Sequence, residues 1–122
     1  MDYVPVAEVR VTVPAAEIRV VDGDTIRLGR ERVRIMNIDA PETEGRAKCN
    51  AERRLAALAT MTLTEIIMGE RLEIERHGKD RFGRTLAYIR VSGADVGEML
   101  ILAKVAVRWG NGRPDWCSHS TR

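Results

Sequence analysis

The hydrophobic period of this chain changes twice, and that change limits the folds open to it. From Glu8 to Val13, Val9, Val11 and Val13 alternate with polar neighbours, the two-residue repeat of a strand. Pro14 then suits a strand end or edge. Glu17 to Asp22 and Thr25 to Leu28 flank Gly23 and read as a hairpin or a sharply bent pair. After a turn at Gly29-Arg30-Glu31, Arg32 to Ile38 is a further strand, with Val33 and Ile35 on one face and Arg34 on the other. From Asn50 to Met68 the spacing becomes helical, through Leu55, Leu58, Ala59, Leu63, Ile66 and Ile67. Asn50 is the expected N-cap and Gly69 the expected stop. Strands return at Arg71 to Arg76 and Leu86 to Val91. A short helix over Ala94 to Leu102 and a last strand over Lys104 to Trp109 follow.

Short strands, one long helix midway, then more strands predict an α+β chain that is mainly β. A five-stranded OB-fold barrel capped by helices fits best. At 122 residues the chain is expected to form one domain over 1–122. No apolar run approaches the ~18 residues of a membrane span, so no membrane partner is expected. The net charge of +2 does not by itself announce a nucleic-acid partner; the local placement of Arg and Lys must. The first residues lack the basic and apolar regions of a signal peptide. Cys49 and Cys117 are either two separate thiols or a disulfide tying the tail to the start of the main helix. A disulfide would imply an oxidising compartment. The compartment therefore stays open: secreted or periplasmic if a leader was trimmed and the bridge forms, cytoplasmic otherwise.

Chemistry concentrates in three segments where strands give way to turns. They are Val21-Asp22-Gly23-Asp24-Thr25, Ile38-Asp39-Ala40-Pro41-Glu42 and Lys79-Asp80-Arg81-Phe82-Gly83-Arg84-Thr85. Singly, each reads equally well as an ordinary acidic or polar turn. An EF-hand is excluded, because Ile26 stands where a third Asp or Asn would be needed. Gathered together, Asp22, Asp24, Asp39 and Glu42 would repel unless a cation held them. Arg34 leads toward Asp39, and Arg84 follows the turn glycine Gly83. Arginine suits phosphate because its planar fork donates two hydrogen bonds and stays charged.

In this order, with the helix between the second and third, the segments resemble the staphylococcal nuclease (thermonuclease) family. The likeness runs from about Glu17 to Trp109, through Leu86-Ala87-Tyr88-Ile89 and Leu102-Ala103-Lys104-Val105-Ala106. The Arg113-Pro114-Asp115-Trp116-Cys117 tail, paired with Cys49, resembles the short bacterial members. The resemblance implies a calcium-dependent phosphodiesterase that cuts DNA and RNA, breaking the 5′ P–O bond and leaving 3′-phosphates. It implies Asp24, Asp39 and the backbone carbonyl of Ala40 as calcium ligands, with Asp22 behind them, bonded to the ion's water. Glu42 would orient or deprotonate the attacking water, and Arg34 and Arg84 would clamp the scissile phosphate. Arg81, Phe82 and Trp109 would touch substrate, with Phe82 and Trp109 stacking on bases. The partner expected is single-stranded or locally melted nucleic acid, bound by a monomer. Phe82, Val107 and Trp109 stand where some members carry tyrosines, and the long C-terminal helix of the best-known member has no counterpart here. Two carboxylates and a carbonyl leave room for water and substrate, which favours calcium over the stricter magnesium.

The alternatives are a non-catalytic OB-fold module that binds nucleic acid, and a structural calcium domain. The second explains neither Arg34 nor Arg84. His77 and His119 read as surface residues, and Trp116 as packing for the tail. The Arg27, Arg30, Arg32 cluster is either a solvated strand face or a phosphate track.

Overall fold

A computed structural model describes residues 11–14, 17–43, 45–110, 112 and 114–118 of the chain. The Glu8 to Arg10 part of the first expected strand, and His119, lie outside the described residues. The strands are β1 (Val11–Pro14), β2 (Ile18–Asp22), β3 (Thr25–Leu28), β4 (Glu31–Ile35), β5 (Ile38–Asp39), β6 (Arg71–Lys79), β7 (Thr85–Val91), β8 (Ala94–Asp95) and β9 (Val107–Arg108). Two helices, α1 (Asn50–Ile67) and α2 (Val96–Leu102), complete the described elements. The main sheet runs β1-β6-β7-β4-β3-β2, with β8 on β7. Within it β2, β3, β4, β7 and β6 are the five barrel strands of an OB fold, β4 and β7 pairing in parallel. The α+β reading, mainly β and capped by helices, therefore holds.

The alternation seen in the sequence becomes the inner face of this sheet. Ile26, Val33, Ile35, Leu72, Ile74 and Ile89 are fully buried and meet Leu63 of α1 and Leu100 of α2. Each such side chain stabilises by about 1.5–3 kcal/mol relative to exposure.

Several boundaries differ from expectation. The strand expected over Arg32 to Ile38 is two, β4 and β5. Between them Met36 N–H donates to the Ala87 carbonyl, and Trp109 N–H to the Asn37 carbonyl. The Asn37 amide also donates to Asp95. These bonds turn the chain out of the sheet, so that β5 pairs with β9 instead. The last strand is consequently only Val107–Arg108. Ala94 and Asp95 form β8 rather than a first helical turn, and Asp95 caps α2 by accepting from Glu98 N–H at 2.9 Å. The N-cap of α1 is Cys49, not Asn50: its sulfur accepts from Glu52 N–H. Cys49 is bonded to Cys117, so the bridge anchors the tail at the start of α1. Their sequence separation of 68 closes a loop that stabilises by about 4 kcal/mol in the chain-entropy picture.

Candidate active site

The first acidic segment is the β2–β3 connection. Gly23 is there for want of a side chain, not for a left-handed turn. A Cβ on it would lie 2.7 Å from the Ala59 Cβ and 3.0 Å from the Ala40 Cβ. Three backbones thus meet closely: the β2–β3 turn, α1, and the segment after β5. That contact sets Asp22 and Asp24 beside Asp39 and Ala40. Ala40 N–H points at Asp24 Oδ2, 3.4 Å away, and Thr25 Oγ1 donates to Asp24 Oδ1 at 2.9 Å.

Arg34 sits at the centre of this corner. It is 9% exposed, although its place on β4 faces away from the barrel interior. Its Nη1 donates to the Ile35 and Ile38 carbonyls at 2.8 and 3.1 Å. Its Nη2 lies 3.5 Å from Asp24 Oδ2 and 3.8 Å from Asp39 Oδ1. The guanidinium stacks over Trp109, 5.2 Å from the ring centroid, and Trp109 itself is 60% exposed. One arginine therefore joins the first two segments and presents an accessible aromatic face next to them.

The third segment is a separate turn at the start of β7. Asp80 Oδ1 accepts from Phe82 N–H and Arg84 N–H, each at 2.9 Å, and Oδ2 accepts from Arg84 Nε at 2.9 Å. Burial alone would raise the Asp80 carboxyl, but these bonds from Arg84 and Phe82 outweigh it and hold it below its ordinary value. Arg81 and Arg84 flank the exposed Phe82 ring, at 5.1 and 5.6 Å from its centroid. Because Arg34 pairs in register with Leu86, Arg84 stands two residues back on the same face. Arg34 on β4 and Arg84, just before β7, are thus offset by about 7 Å along the strand direction.

Glu42 lines a cleft of about 380 Å³, with Asp39, Arg46 and Trp116 also on its walls. Its backbone is pinned by Glu52, a buried carboxylate that accepts from Glu42 N–H and Lys48 N–H at 2.9 Å each. Among the described residues, its own carboxylate has only the exposed Arg46 within ion-pair range, at 3.7 Å. Glu52 went unnoticed in the sequence. The signal available was its place three residues after the capping Cys49, the spacing of a capping box. Trp116, expected only to pack the tail, faces the cleft. His77 is a surface residue, as expected, bonded to Glu75.

The donors gathered here are all oxygens, which suits a hard cation. Burial is the first cause, with the Asp24 carboxylate beside it, that pushes Asp22 up to about 7. Among the described residues no three His, Cys, Asp or Glu side chains converge as a complete cage. Asp24 and Asp39, which share the Arg34 guanidinium, are the carboxylates of this corner that could hold such an ion.

The chain is similar to known proteins over most of its length. The family described as Staphylococcal nuclease homologue matches residues 32–114. The matched span begins just after the Asp22 and Asp24 segment, which the sheet register brings to the same corner. A thermonuclease of Staphylococcus intermedius is 40% identical over 78 residues, 58% of this chain and 45% of that protein. Endonuclease YncB of Bacillus subtilis (strain 168) is 33% identical over 98 residues, 72% of this chain and 46% of that protein. The chain thus spans about half the length of the curated relatives it matches. With the matched span covering most of its length and the barrel in place, this chain belongs to the staphylococcal nuclease family.

Proposed function

We propose that this protein is a calcium-dependent nuclease that hydrolyses phosphodiester bonds in DNA and RNA. The observation that carries the reading is the Arg34 corner, where a buried arginine, Asp24 and Asp39 share one guanidinium edge beside an open aromatic ring. A binding module would need the arginines but not the half-buried carboxylates Asp24 and Asp39. The names of the relatives, thermonuclease and endonuclease, support the same class.

In this reading Asp24, Asp39 and the Ala40 carbonyl would hold the calcium, with Asp22 behind them. Calcium, when bound, supplies Lewis-acid polarisation of a phosphoryl oxygen. Arg34, from β4, and Arg84, from the turn before β7, grip the scissile phosphate and offset the charge that grows on its oxygens. Glu42 orients the attacking water and accepts its proton, its backbone fixed by Glu52. Attack is in line with the 5′ P–O bond, which breaks to leave a 3′-phosphate; the departing 5′ oxygen takes a proton from solvent. Phe82 and Trp109 stack on the flanking bases, with Arg81 beside them. The substrate is single-stranded or locally melted, and the enzyme acts as a monomer. The Cys49–Cys117 bridge supports an oxidising compartment.

The test is digestion of single-stranded DNA in calcium, in a calcium-selective chelator, and after calcium is restored. Cutting should stop in chelator and return with the ion. Full activity in chelator would sink the metal assignment.

A further inference from the structure

Four arginines stand in one row across the outer face of the sheet. Arg19 of β2 pairs in register with Arg27 of β3, and Arg27 with Arg32 of β4. Arg84 immediately precedes Thr85, the parallel partner of Val33, which sets it beside Arg32. The Arg32 side chain already reaches that turn, donating from Nη2 to the Phe82 carbonyl. The neighbours Ile26, Val33 and Thr85 are buried, so alternation turns the arginines away from the core.

Like charges directly opposite one another on neighbouring strands are destabilising. Elsewhere on the sheet the fold relieves this: Arg76 pairs with Glu31, and Arg90 with Glu75. Among the described residues no carboxylate pairs with Arg19, Arg27 or Arg32. Their charge is left available to a ligand, in a line that ends at Arg84.

We propose that this row carries the phosphate backbone of single-stranded nucleic acid away from the Arg34–Arg84 corner, across the strands. The inference rests on the nuclease reading for the corner at its end. Strands lie ~4.8 Å apart, so the row spans about 14 Å. That length takes about three successive phosphates of an extended strand, within the roughly four-nucleotide minimum site of one OB fold. Each guanidinium can grip a phosphate with two parallel hydrogen bonds. A row one arginine wide follows one strand, and the exposed Phe82 at its end offers a base a face to stack on.

The experiment reads binding of a fluorescein-labelled single strand of about twelve thymidines by polarisation, in chelator so that no cleavage intervenes. Parent protein is compared with the Arg19→Gln/Arg27→Gln variant and with Arg54→Gln/Arg71→Gln, which removes the same charge elsewhere. The row variant should bind about tenfold or more weakly at low salt, and its salt slope should fall by about 1.4, two phosphates at ~0.7 each. The control variant should stay within about twofold of the parent. Turnover of a dinucleotide, too short to reach Arg27, should be the same in parent and row variant. If the parent cuts nothing while the row variant still loses affinity, the nuclease reading fails and the row stands. Equal losses in both variants, or an unchanged slope, would overturn the row. So would an equal loss toward polyglutamate, because the row would then take any polyanion.

Discussion

Arg34 and Arg84 face the same phosphate in this account, but the fold holds them in opposite ways. Arg34 is buried, with two backbone carbonyls, two carboxylates and an aromatic ring around its guanidinium. Arg84 sits on a turn, held by Asp80 and leaning on the exposed Phe82 ring. The first is part of the structure as well as of the site. The second belongs to the site alone. A buried cation among carbonyls is preorganised and costs little reorganisation when charge develops next to it. A cation on a turn can follow an incoming strand and release it.

Truncating each to alanine separates the two roles. Arg34→Ala and Arg84→Ala should each lower turnover by about 10²–10³. Only Arg34→Ala should also destabilise, by about 3 kcal/mol, because it removes a buried cation from two half-buried carboxylates and two backbone carbonyls. Arg84→Ala should stay within about 0.5 kcal/mol of the parent. Chemical denaturation beside initial-rate assays checks both; equal stability losses would erase the distinction.

Gly23→Ala attacks the Arg34 corner without touching the turn. Its new Cβ would collide with Ala59 on a helix backbone that cannot yield cheaply. The expected cost is about 1–3 kcal/mol, together with slower turnover from a displaced Asp24. An unchanged melting point would show that the close approach is not needed.

The smallest effect is at the turn. Asp80 is held below its ordinary value of 3.8, so its contribution is fully present above that pH and is lost as pH falls through its folded value. The stability of Asp80→Asn should therefore trail the parent by no more than about 1 kcal/mol near neutrality. The two curves should converge in acid. A gap that widens below pH 3.8 would reverse the sign of the assignment.

The contrast between the two arginines also marks what the sequence could show. The period change placed α1, and the barrel strands followed from alternation. Both acidic segments and Arg84 were visible because Asp, Gly and Arg cluster at turns. The burial of Arg34 was not visible. Its alternation put it on the outer face, and only the exit of β5 toward β9 covers it there. That exit depends on Asn37 bonding to Asp95, 58 positions away in sequence. Cys49 outcompeted Asn50 as the helix cap because its sulfur is fixed by Cys117, a long-range constraint that local propensity does not carry. Glu52 and Trp116 escaped for the same reason. Each acts through a segment that the disulfide or the helix start brings near.

The central claim is that Arg34 and Arg84 act on one phosphate as a unit, and a double-mutant cycle tests it most directly. Lysine keeps the charge at each position but not the two-pronged fork. Turnover of single-stranded DNA in calcium would be measured for Arg34→Lys, Arg84→Lys and the pair. Residues that act together lose far less in combination than the product of their separate losses. The expected result is a double variant within about tenfold of the slower single variant. Losses that multiply in full, or an Arg84→Lys protein that cuts at the parent rate, would contradict it.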